Sequence, residues 1–344
     1  MQSNESLGVL CLGFSNIVQR RVLPALEALP GVARFEIASR RGRPEETLLT
    51  PKCASSYDDF EAALASSRCD LVYVSTVNSE HEAWAERALE RGFHVVVDKP
   101  AFLELEAGDR LLRLASSRRL CLAEATVYAA HPQIELCRQI FAEAGLPEVG
   151  LPEVGLPRVA ARPTRITTLF SMPPLPPDNF RYQRQLGGGA LWDLGPYAVS
   201  LGRVFFGEPP ETVHASVLSR GGPDRVATAF SAQLTYSEGR SLVGHFGFDT
   251  EYRNEATLLG PGAAVRISRL FTTPPNYANT LEVHAGNQAS QRQAPAADSF
   301  ACFLGEVLDR IRDGGDYADF GQHLRDDLQA LVALRRAAET GGGR

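Results

Sequence analysis

The chain has 344 residues, of which 44% are hydrophobic and 22% are charged, and its formal net charge is −6. This length predicts two compact domains, because a typical domain has about 100–200 residues, and the composition excludes general disorder. The acidic balance argues against a basic nucleic-acid-binding surface, and no apolar run reaches the roughly 18 residues of a membrane span.

The first third of the chain alternates short apolar runs with amphipathic segments. The apolar runs predict strands at residues 8–12, 35–38, 71–74, 94–97 and 120–122, and the amphipathic segments predict helices, among them 80–90 and 103–117. Strands separated by helices form a parallel sheet covered on both faces. The sequence therefore predicts an α/β fold that starts with a doubly wound Rossmann domain, residues 1–126.

Beyond about residue 128 the pattern changes. A predicted helix at 132–144 precedes the unit LPEVG at 146–150 and 151–155 and a degenerate copy at 156–160, which together predict an expanded surface loop. Strand-like runs follow without helices between them at 213–218, 226–236, 241–248, 256–259 and 265–267, and helices follow at 300–312 and 320–339. Residues 127–344 therefore predict an α/β domain with a large, mainly antiparallel open sheet; its C-terminal helix is free to pack back on the first domain.

The N-terminus and the cysteines narrow the functional classes further. The segment MQSNESLGVL has no basic stretch followed by a long apolar one, so we expect a cytoplasmic protein. None of the six cysteines forms a CxxC pair, which favours buried free thiols and predicts no metal site.

The loop after the first predicted strand suits a pyrophosphate, because a helix begins there with free backbone N–H groups. Its residues are Gly13, Phe14, Ser15, Asn16 and Ile17. The full GxGxxG pattern is absent: Leu10 occupies the place of the first glycine and only Gly13 remains. From this loop alone, an ordinary βα turn and a nucleotide site are equally plausible.

The loop after the second predicted strand carries Ser39, Arg40 and Arg41. An NAD site typically has a carboxylate at this place for the ribose hydroxyls, whereas two arginines suit a 2′-phosphate. A solvated basic loop is the plain alternative. In the context of the preceding βαβ unit, the arginines favour NADP(H), with NAD(H) as the second choice.

Two further segments carry residues suited to carbonyl chemistry. Lys99, in Asp98-Lys99-Pro100, follows the fourth predicted strand, where its ammonium can bond a substrate oxygen and lower the pKa of a neighbouring acid. In GGGALWDLGPY, a helix beginning near Leu191 would place Asp193 and Tyr197 on one face. The alternatives are a surface lysine and a capping aspartate beside a packed tyrosine.

In their order and spacing, these residues resemble the glucose–fructose oxidoreductase/inositol dehydrogenase/MocA family over nearly the whole chain. The motifs are Gly13 to Ile17, Asn78-x-x-His81, Asp98-Lys99-Pro100, Glu124-Ala125 with His131-Pro132-Gln133, and the block from Gly187 to Tyr197. Within the family, the segment from Pro173 to Tyr197 is most similar to nucleotide-sugar C-3 ketoreductases. Xylose and dihydrodiol dehydrogenases share much of the pattern.

The resemblance implies an oxidoreductase that transfers hydride between NADP(H) and a sugar carbonyl or hydroxyl. It implies a cis bond before Pro100, with Lys99, Asp193 and Tyr197 as catalytic residues and Tyr197 as proton donor. The implied cofactor contacts are Gly13, Phe14, Ser15, Asn16, Ile17, Ser39, Arg40, Arg41, Ser75, Thr76, Asn78, His81, Asp98, Lys99 and Glu124; the implied substrate contacts are Lys99, Arg181, Tyr182, Asp193 and Tyr197.

The implied partner is a sugar or nucleotide sugar, with neither nucleic acid nor membrane. The second sheet is expected to hold a homodimer or homotetramer together. Two other functions remain open: an NAD(P)-dependent sugar or dihydrodiol dehydrogenase, and a non-catalytic dinucleotide-binding regulator of the same fold.

Overall fold

In the computed structural model, residues 6–40, 50–144 and 162–340 are described. The LPEVG copies and Arg41 lie outside these ranges. The chain divides into two compact units. The first contains residues 1–127, 183–188 and 299–332, and the second contains 128–182, 189–298 and 333–344.

The first unit contains a six-stranded sheet, counted over the described residues, with the order β3-β2-β1-β4-β5-β6. Its strands are β1 Leu7–Leu12, β2 Val32–Ala38, β3 Cys53–Tyr57, β4 Leu71–Val74, β5 His94–Val97 and β6 Leu122–Glu124. All neighbouring strands are parallel, and strand order reverses direction between β1 and β4. Ligands of open parallel sheets bind at such a switch point, beyond the carboxyl ends of the strands.

The helices of the first unit cover both faces of this sheet. They are α1 Leu23–Ala28, which continues a π-helical segment Val18–Val22, then α2 Phe60–Ser66, α3 His81–Glu90, α4 Leu105–Ser117, α8 Ser299–Arg312 and the first part of α9 Ala318–Thr340. Leu324 and Leu328 of α9 join the core that contains Leu111 of α4 and Val97 of β5. This apolar core explains why β4, LVYV, and β5, HVVV, consist mainly of Val and Leu, since these central strands are buried on both faces.

The second unit contains an eight-stranded sheet in its described residues, with the order β14-β13-β12-β11-β7-β10-β9-β8. The strands are β7 Arg165–Ser171, β8 Thr212–Gly221, β9 Val226–Thr235, β10 Ser241–Gly247, β11 Arg253–Gly260, β12 Ala263–Ser268, β13 Thr280–Ala285 and β14 Gln288–Gln293. Neighbours are antiparallel except for β7 and β10, which run parallel. The predicted fold class, a Rossmann sheet followed by a mainly antiparallel sheet, is confirmed.

One face of this sheet is covered by α5 Pro132–Ala144, α6 Ala190–Asp193 and α7 Gly195–Phe206. The other face carries the exposed side chains, which alternate with buried ones along the strands. Strand β8 alternates half-buried and exposed residues, as expected for a sheet with one solvated face. The last strand, β14, is exposed at every position, and its Arg292 pairs with Glu143 of α5 at 2.8 Å.

Several elements were absent from the sequence prediction. These are the strands β3, β7, β13 and β14 and the helix α2. None of them has a long apolar run, because their apolar residues alternate with polar ones or, in β3 and β14, the strand lies at the edge of its sheet. The sequence positions of β4, β5 and α5 were predicted correctly to the residue.

Within the described ranges, no helix combines the length and the apolar character needed to cross a bilayer. The same part of the chain contains no cluster of three or more His, Cys, Asp or Glu side chains arranged to bind a metal ion.

Candidate active site

The turn after β1 depends on Gly13. Its φ is +106°, and a Cβ at this position would collide with the carbonyl oxygen of Ser75 after β4. Glycine alone fits such a turn, which is the role of the first glycine in a dinucleotide-binding loop. The expectation that Leu10 occupies that place is wrong: Leu10 is fully buried inside β1, paired with Glu36 and Val72.

A chain of hydroxyl groups links this turn to the ends of β4 and β5. The Ser15 Oγ accepts from the Val18 N–H at 3.2 Å and lies 2.8 Å from the Ser75 Oγ. The hydroxyls of Ser75 and Tyr73 both donate to the Asp98 carboxylate. Phe14 and Thr76 are half-buried beside this network, and Asn16 and Ile17 are exposed at the start of the helix.

The loop after β2 presents a cation. Ser39 is buried, with its backbone N–H donating to the Tyr57 carbonyl at 2.9 Å. The next residue, Arg40, is exposed; its guanidinium lies 4.9 Å from the centre of the Phe60 ring and 2.6 Å from Glu80. Stacking on Phe60 and the ion pair with Glu80 hold the guanidinium in place at the end of β2.

The Lys99–Pro100 peptide bond is cis, as the resemblance implied. The segment is held from two sides. The Pro100 carbonyl oxygen lies 2.9 Å from the Nδ1 atom of His81, and the Ala101 N–H donates to the Glu124 Oε2 at 2.8 Å. His81 and Glu124, which were predicted as cofactor contacts, fix the backbone that carries Lys99.

His81 faces two carbonyl oxygens, because its Nε2 lies 3.2 Å from the carbonyl oxygen of Thr76. Burial lowers the pKa of His81, although the carbonyls of Pro100 and Thr76 act in the opposite direction. A neutral imidazole has one N–H, so it donates to one of these carbonyls at a time. The ring thus joins the loops that follow β4 and β5.

Asn78 supports a different segment of the first unit. Its side-chain amide donates to the Gly187 carbonyl at 2.9 Å, and both groups are buried. Gly187 has φ +74°, and a Cβ there would lie 2.7 Å from the Asn78 Cβ. The first glycine of the GGG block is therefore required by this packing.

In the second unit, the predicted continuous helix through Asp193 and Tyr197 is wrong. Helix α6 ends at Asp193, Leu194 has φ −110°, and α7 begins at Gly195. Pro196 has no N–H with which to continue the hydrogen bonding of α6, so the helix restarts instead.

Asp193, which is buried, forms an ion pair with the half-buried Arg181. The Arg181 Nε lies 2.8 Å from the Asp193 Oδ2, and the guanidinium stacks 4.8 Å from the Phe180 ring centre. Burial alone would lower the pKa of Arg181, but the Asp193 carboxylate and the Tyr197 phenol raise it above its ordinary value. Arg181 is therefore a fixed cation close to Asp193 and Tyr197.

Tyr182, predicted to contact substrate, is buried. Its hydroxyl accepts from the Leu175 N–H at 3.2 Å and donates to the Leu175 carbonyl at 3.3 Å. The ring packs edge-on against Phe248, and the two ring centroids are 5.6 Å apart. These contacts anchor the proline-rich segment before it.

Tyr197 lies in an aromatic cluster. Its ring centre is 5.0 Å from Phe170, 5.0 Å from Phe271 and 6.0 Å from Tyr128. The Tyr128 hydroxyl is within 2.9 Å of the Ser200 Oγ, which in turn donates to the Pro196 carbonyl at 2.6 Å. Sequence reasoning missed Phe170 and Phe271, because β7 and the loop after β12 are distant from Tyr197 in the chain.

The comparisons with known proteins identify the family. A model described as "Oxidoreductase family, NAD-binding Rossmann fold" matches residues 7–126, and one described as "GFO/IDH/MocA C-terminal domain" matches residues 161–268. A dTDP-3,4-didehydro-2,6-dideoxy-alpha-D-glucose 3-reductase from Actinomadura kijaniata is 30% identical over 327 residues, which cover 95% of this chain and 94% of the relative. The chain belongs to the GFO/IDH/MocA oxidoreductase family.

Solved structures of this family agree with the assignment. A 3-ketoreductase from Actinomadura kijaniata in complex with NADP and TDP-benzene has a TM-score of 0.85 at 26% identity and covers 97% of this chain and 98% of that chain. The same ketoreductase has been solved with one lysine replaced by alanine or glutamate and with one tyrosine replaced by phenylalanine. A D-xylose 1-dehydrogenase (NADP(+)) from Haloferax volcanii is 29% identical, over 96% of this chain and 97% of the relative.

Membership of the GFO/IDH/MocA family confirms the predicted resemblance and the oxidoreductase class. The prediction of a dinucleotide cofactor agrees with the family model and with the NADP bound to the ketoreductase. The roles of individual residues in this chain remain predictions.

Proposed function

We propose that this protein is an NADPH-dependent ketoreductase acting on a nucleotide-linked keto sugar. The observation that carries the proposal is the similarity, over 95% of the chain, to a dTDP-sugar 3-reductase, together with the structural match to a ketoreductase bound to NADP and a TDP ligand.

The described residues of the first unit fit a dinucleotide. Gly13 leaves space at the turn that a Cβ would fill, and Arg40 offers a cation at the end of β2 where a 2′-phosphate would lie. Ser39 and Arg40 would hold the adenosine end, and the hydroxyl network from Ser15 to Asp98 would face the remainder. NADPH, when bound, supplies the hydride for the carbonyl carbon.

In this proposal Lys99 polarises the substrate carbonyl oxygen and Tyr197 donates the proton that this oxygen takes up. Arg181, close to Tyr197, favours the phenolate that remains after proton transfer. Asp193, positioned by its ion pair with Arg181, holds a neighbouring substrate hydroxyl. The rings of Phe170 and Phe271 fix the orientation of the phenol.

The test is NADPH oxidation by the wild-type protein and by Lys99→Met and Tyr197→Phe variants with a TDP-linked 3-keto sugar. Loss of general acid catalysis predicts that Tyr197→Phe lowers kcat about 100- to 10,000-fold while NADPH binding is retained. Wild-type rates in the double variant would exclude this mechanism. NADPH binding without turnover of any keto sugar would favour a non-catalytic regulator instead.

A second candidate is an NADP-dependent sugar dehydrogenase, which is favoured by the similarity to the D-xylose 1-dehydrogenase. Oxidation of free D-xylose with NADP, at a higher kcat/KM than reduction of the nucleotide-linked keto sugar, would select this candidate.

We also propose that the solvated face of the eight-stranded sheet forms a homodimer or homotetramer. Leu218, Val243 and Leu259 are 56%, 42% and 39% exposed, and such side chains gain from burial between copies. Sedimentation of the wild-type protein and of Leu218→Glu tests this: the charge should shift an oligomer toward the monomer. A wild-type monomer at micromolar concentration would contradict it.

A further inference from the structure

The loop between β12 and β13 carries an arginine between two exposed tyrosines. Tyr252 and Tyr277 are 42% and 39% exposed, which is unusual for large rings in the described part of the chain. The guanidinium carbon of Arg269 lies 5.8 Å from the Tyr252 ring centre and 5.7 Å from the Tyr277 ring centre. We call these three residues the tyrosine–arginine cluster.

Among residues 6–40, 50–144 and 162–340, no carboxylate balances the charge of Arg269. Over the residues that the structure describes, Arg269 has no ion pair, whereas Arg266, three positions earlier, pairs with Glu255 at 3.0 Å and with Glu282 at 3.5 Å. An exposed guanidinium held between aromatic rings keeps its hydrogen-bonding edge open to an anion. The cluster therefore offers a cation and two apolar ring faces together.

The backbone around the cluster is fixed by a buried asparagine. Asn254 is 5% exposed; its side chain donates to the Tyr252 hydroxyl at 3.1 Å and accepts from the Phe271 N–H at 2.9 Å. Arg269 has φ +51°, a conformation that an arginine seldom adopts, and its N–H donates to the Asn254 carbonyl at 2.5 Å. Strain of this kind persists where the surrounding structure enforces it, often at ligand sites.

Arg269 and Tyr277 of the cluster lie in the same loop as Phe271, the ring that packs against the predicted proton donor, and Tyr252 immediately precedes β11. Phe271 follows Arg269 by two residues, about 7 Å of extended chain, and its ring centre is 5.0 Å from that of Tyr197. In a nucleotide sugar, a diphosphate and then a nucleoside extend from the sugar ring. A sugar beside Tyr197 would place these groups along the loop.

We propose that the tyrosine–arginine cluster binds the nucleoside diphosphate of the substrate, with Arg269 on the phosphates and the base stacked on Tyr252 or Tyr277. This assignment rests on the proposed function, since it requires a nucleotide-linked substrate. It adds a recognition element that an enzyme acting on free sugars does not need.

The experiment measures TDP binding by calorimetry to the protein saturated with NADPH. Arg269→Met should weaken TDP binding about 10- to 100-fold, because charged hydrogen bonds are lost. Tyr277→Ala should weaken it about 10-fold through the loss of stacking, and Tyr277→Phe should restore most of the affinity. NADPH affinity and thermal stability should remain those of the wild-type protein in all three variants.

Arg292→Met is the matched control, because Arg292 is an exposed arginine on β14 of the same unit. Wild-type TDP affinity in both Arg269→Met and Tyr277→Ala would overturn the assignment and leave the ketoreductase proposal intact. A change in the oligomeric state of these variants without a change in their TDP affinity would do the same. If the wild-type protein binds no TDP and reduces no TDP-linked keto sugar, both proposals fail.

Discussion

Alanine at position 13 should destabilise the turn after β1 and weaken NADPH binding. The positive φ of +106° would cost an alanine about 1–3 kcal/mol. The new Cβ would also collide with the Ser75 carbonyl, and relieving such overpacking costs about 1–3 kcal/mol more. The sum, about 2–6 kcal/mol, should appear in the free energy of unfolding in urea.

Gly92→Ala provides the control. Gly92 has φ +90°, but a Cβ there would meet no atom within 4 Å, so this variant carries the backbone strain without the collision. We expect Gly13→Ala to be the less stable of the two and to bind NADPH at least about 10-fold more weakly, since Ser75 must move. Equal stability and equal NADPH affinity in the two variants would refute the close-approach argument.

Three further predictions concern charge and packing. Burial lowers the pKa of both His81 and His94 below the ordinary 6.5, so the folded state disfavours their protonation. The free energy of unfolding should therefore keep its full contribution from these histidines above pH 6.5 and decrease as the pH falls below 6.5. The decrease should be smaller in His94→Gln, and urea unfolding from pH 7.5 to 5.0 measures it. Arg40→Met should reduce NADPH affinity about 10- to 100-fold and leave NADH affinity unchanged in fluorescence titrations, and equal losses for both cofactors would argue against a 2′-phosphate contact. Phe271→Leu should lower kcat and alter its pH profile while KM for NADPH is retained, whereas an unchanged profile would mean that the ring does not orient Tyr197.

The sequence predicted the parts of the fold that are governed by local apolar patterns. Strands β4 and β5 are buried on both faces and read as uninterrupted apolar runs, so their bounds were correct. Strand β14, QASQRQ, has no apolar residue beyond one alanine, and nothing local marks it as a strand. Its conformation comes from pairing with β13, which only the tertiary structure reveals.

In the candidate site, too, the residues in local sequence motifs could be predicted and the residues brought in by tertiary packing could not. Residues in short motifs, such as Gly13 and Lys99, could be predicted as site residues because their neighbours along the chain carry the pattern, and the positive φ of Gly13 agrees with a turn at that place. The surroundings of Tyr197 come from β7 and from the loop after β12, and a single sequence does not report such distant packing. The assignment of Leu10 was wrong although the end of β1 was predicted correctly at Leu12, because the glycine pattern was placed inside the strand and not at the turn that follows it.

The polar edge formed by β14 bears on how the protein behaves at high concentration. A terminal strand has unpaired backbone groups that can template another chain, and apolar side chains beside them would reward that addition. Glutamine, serine and arginine give an incoming strand almost nothing to bury, and the Arg292–Glu143 pair adds charge beside it. The edge strand β14 therefore disfavours the addition of further strands and the growth of fibrils. Valines introduced at alternate positions of β14 would remove this protection.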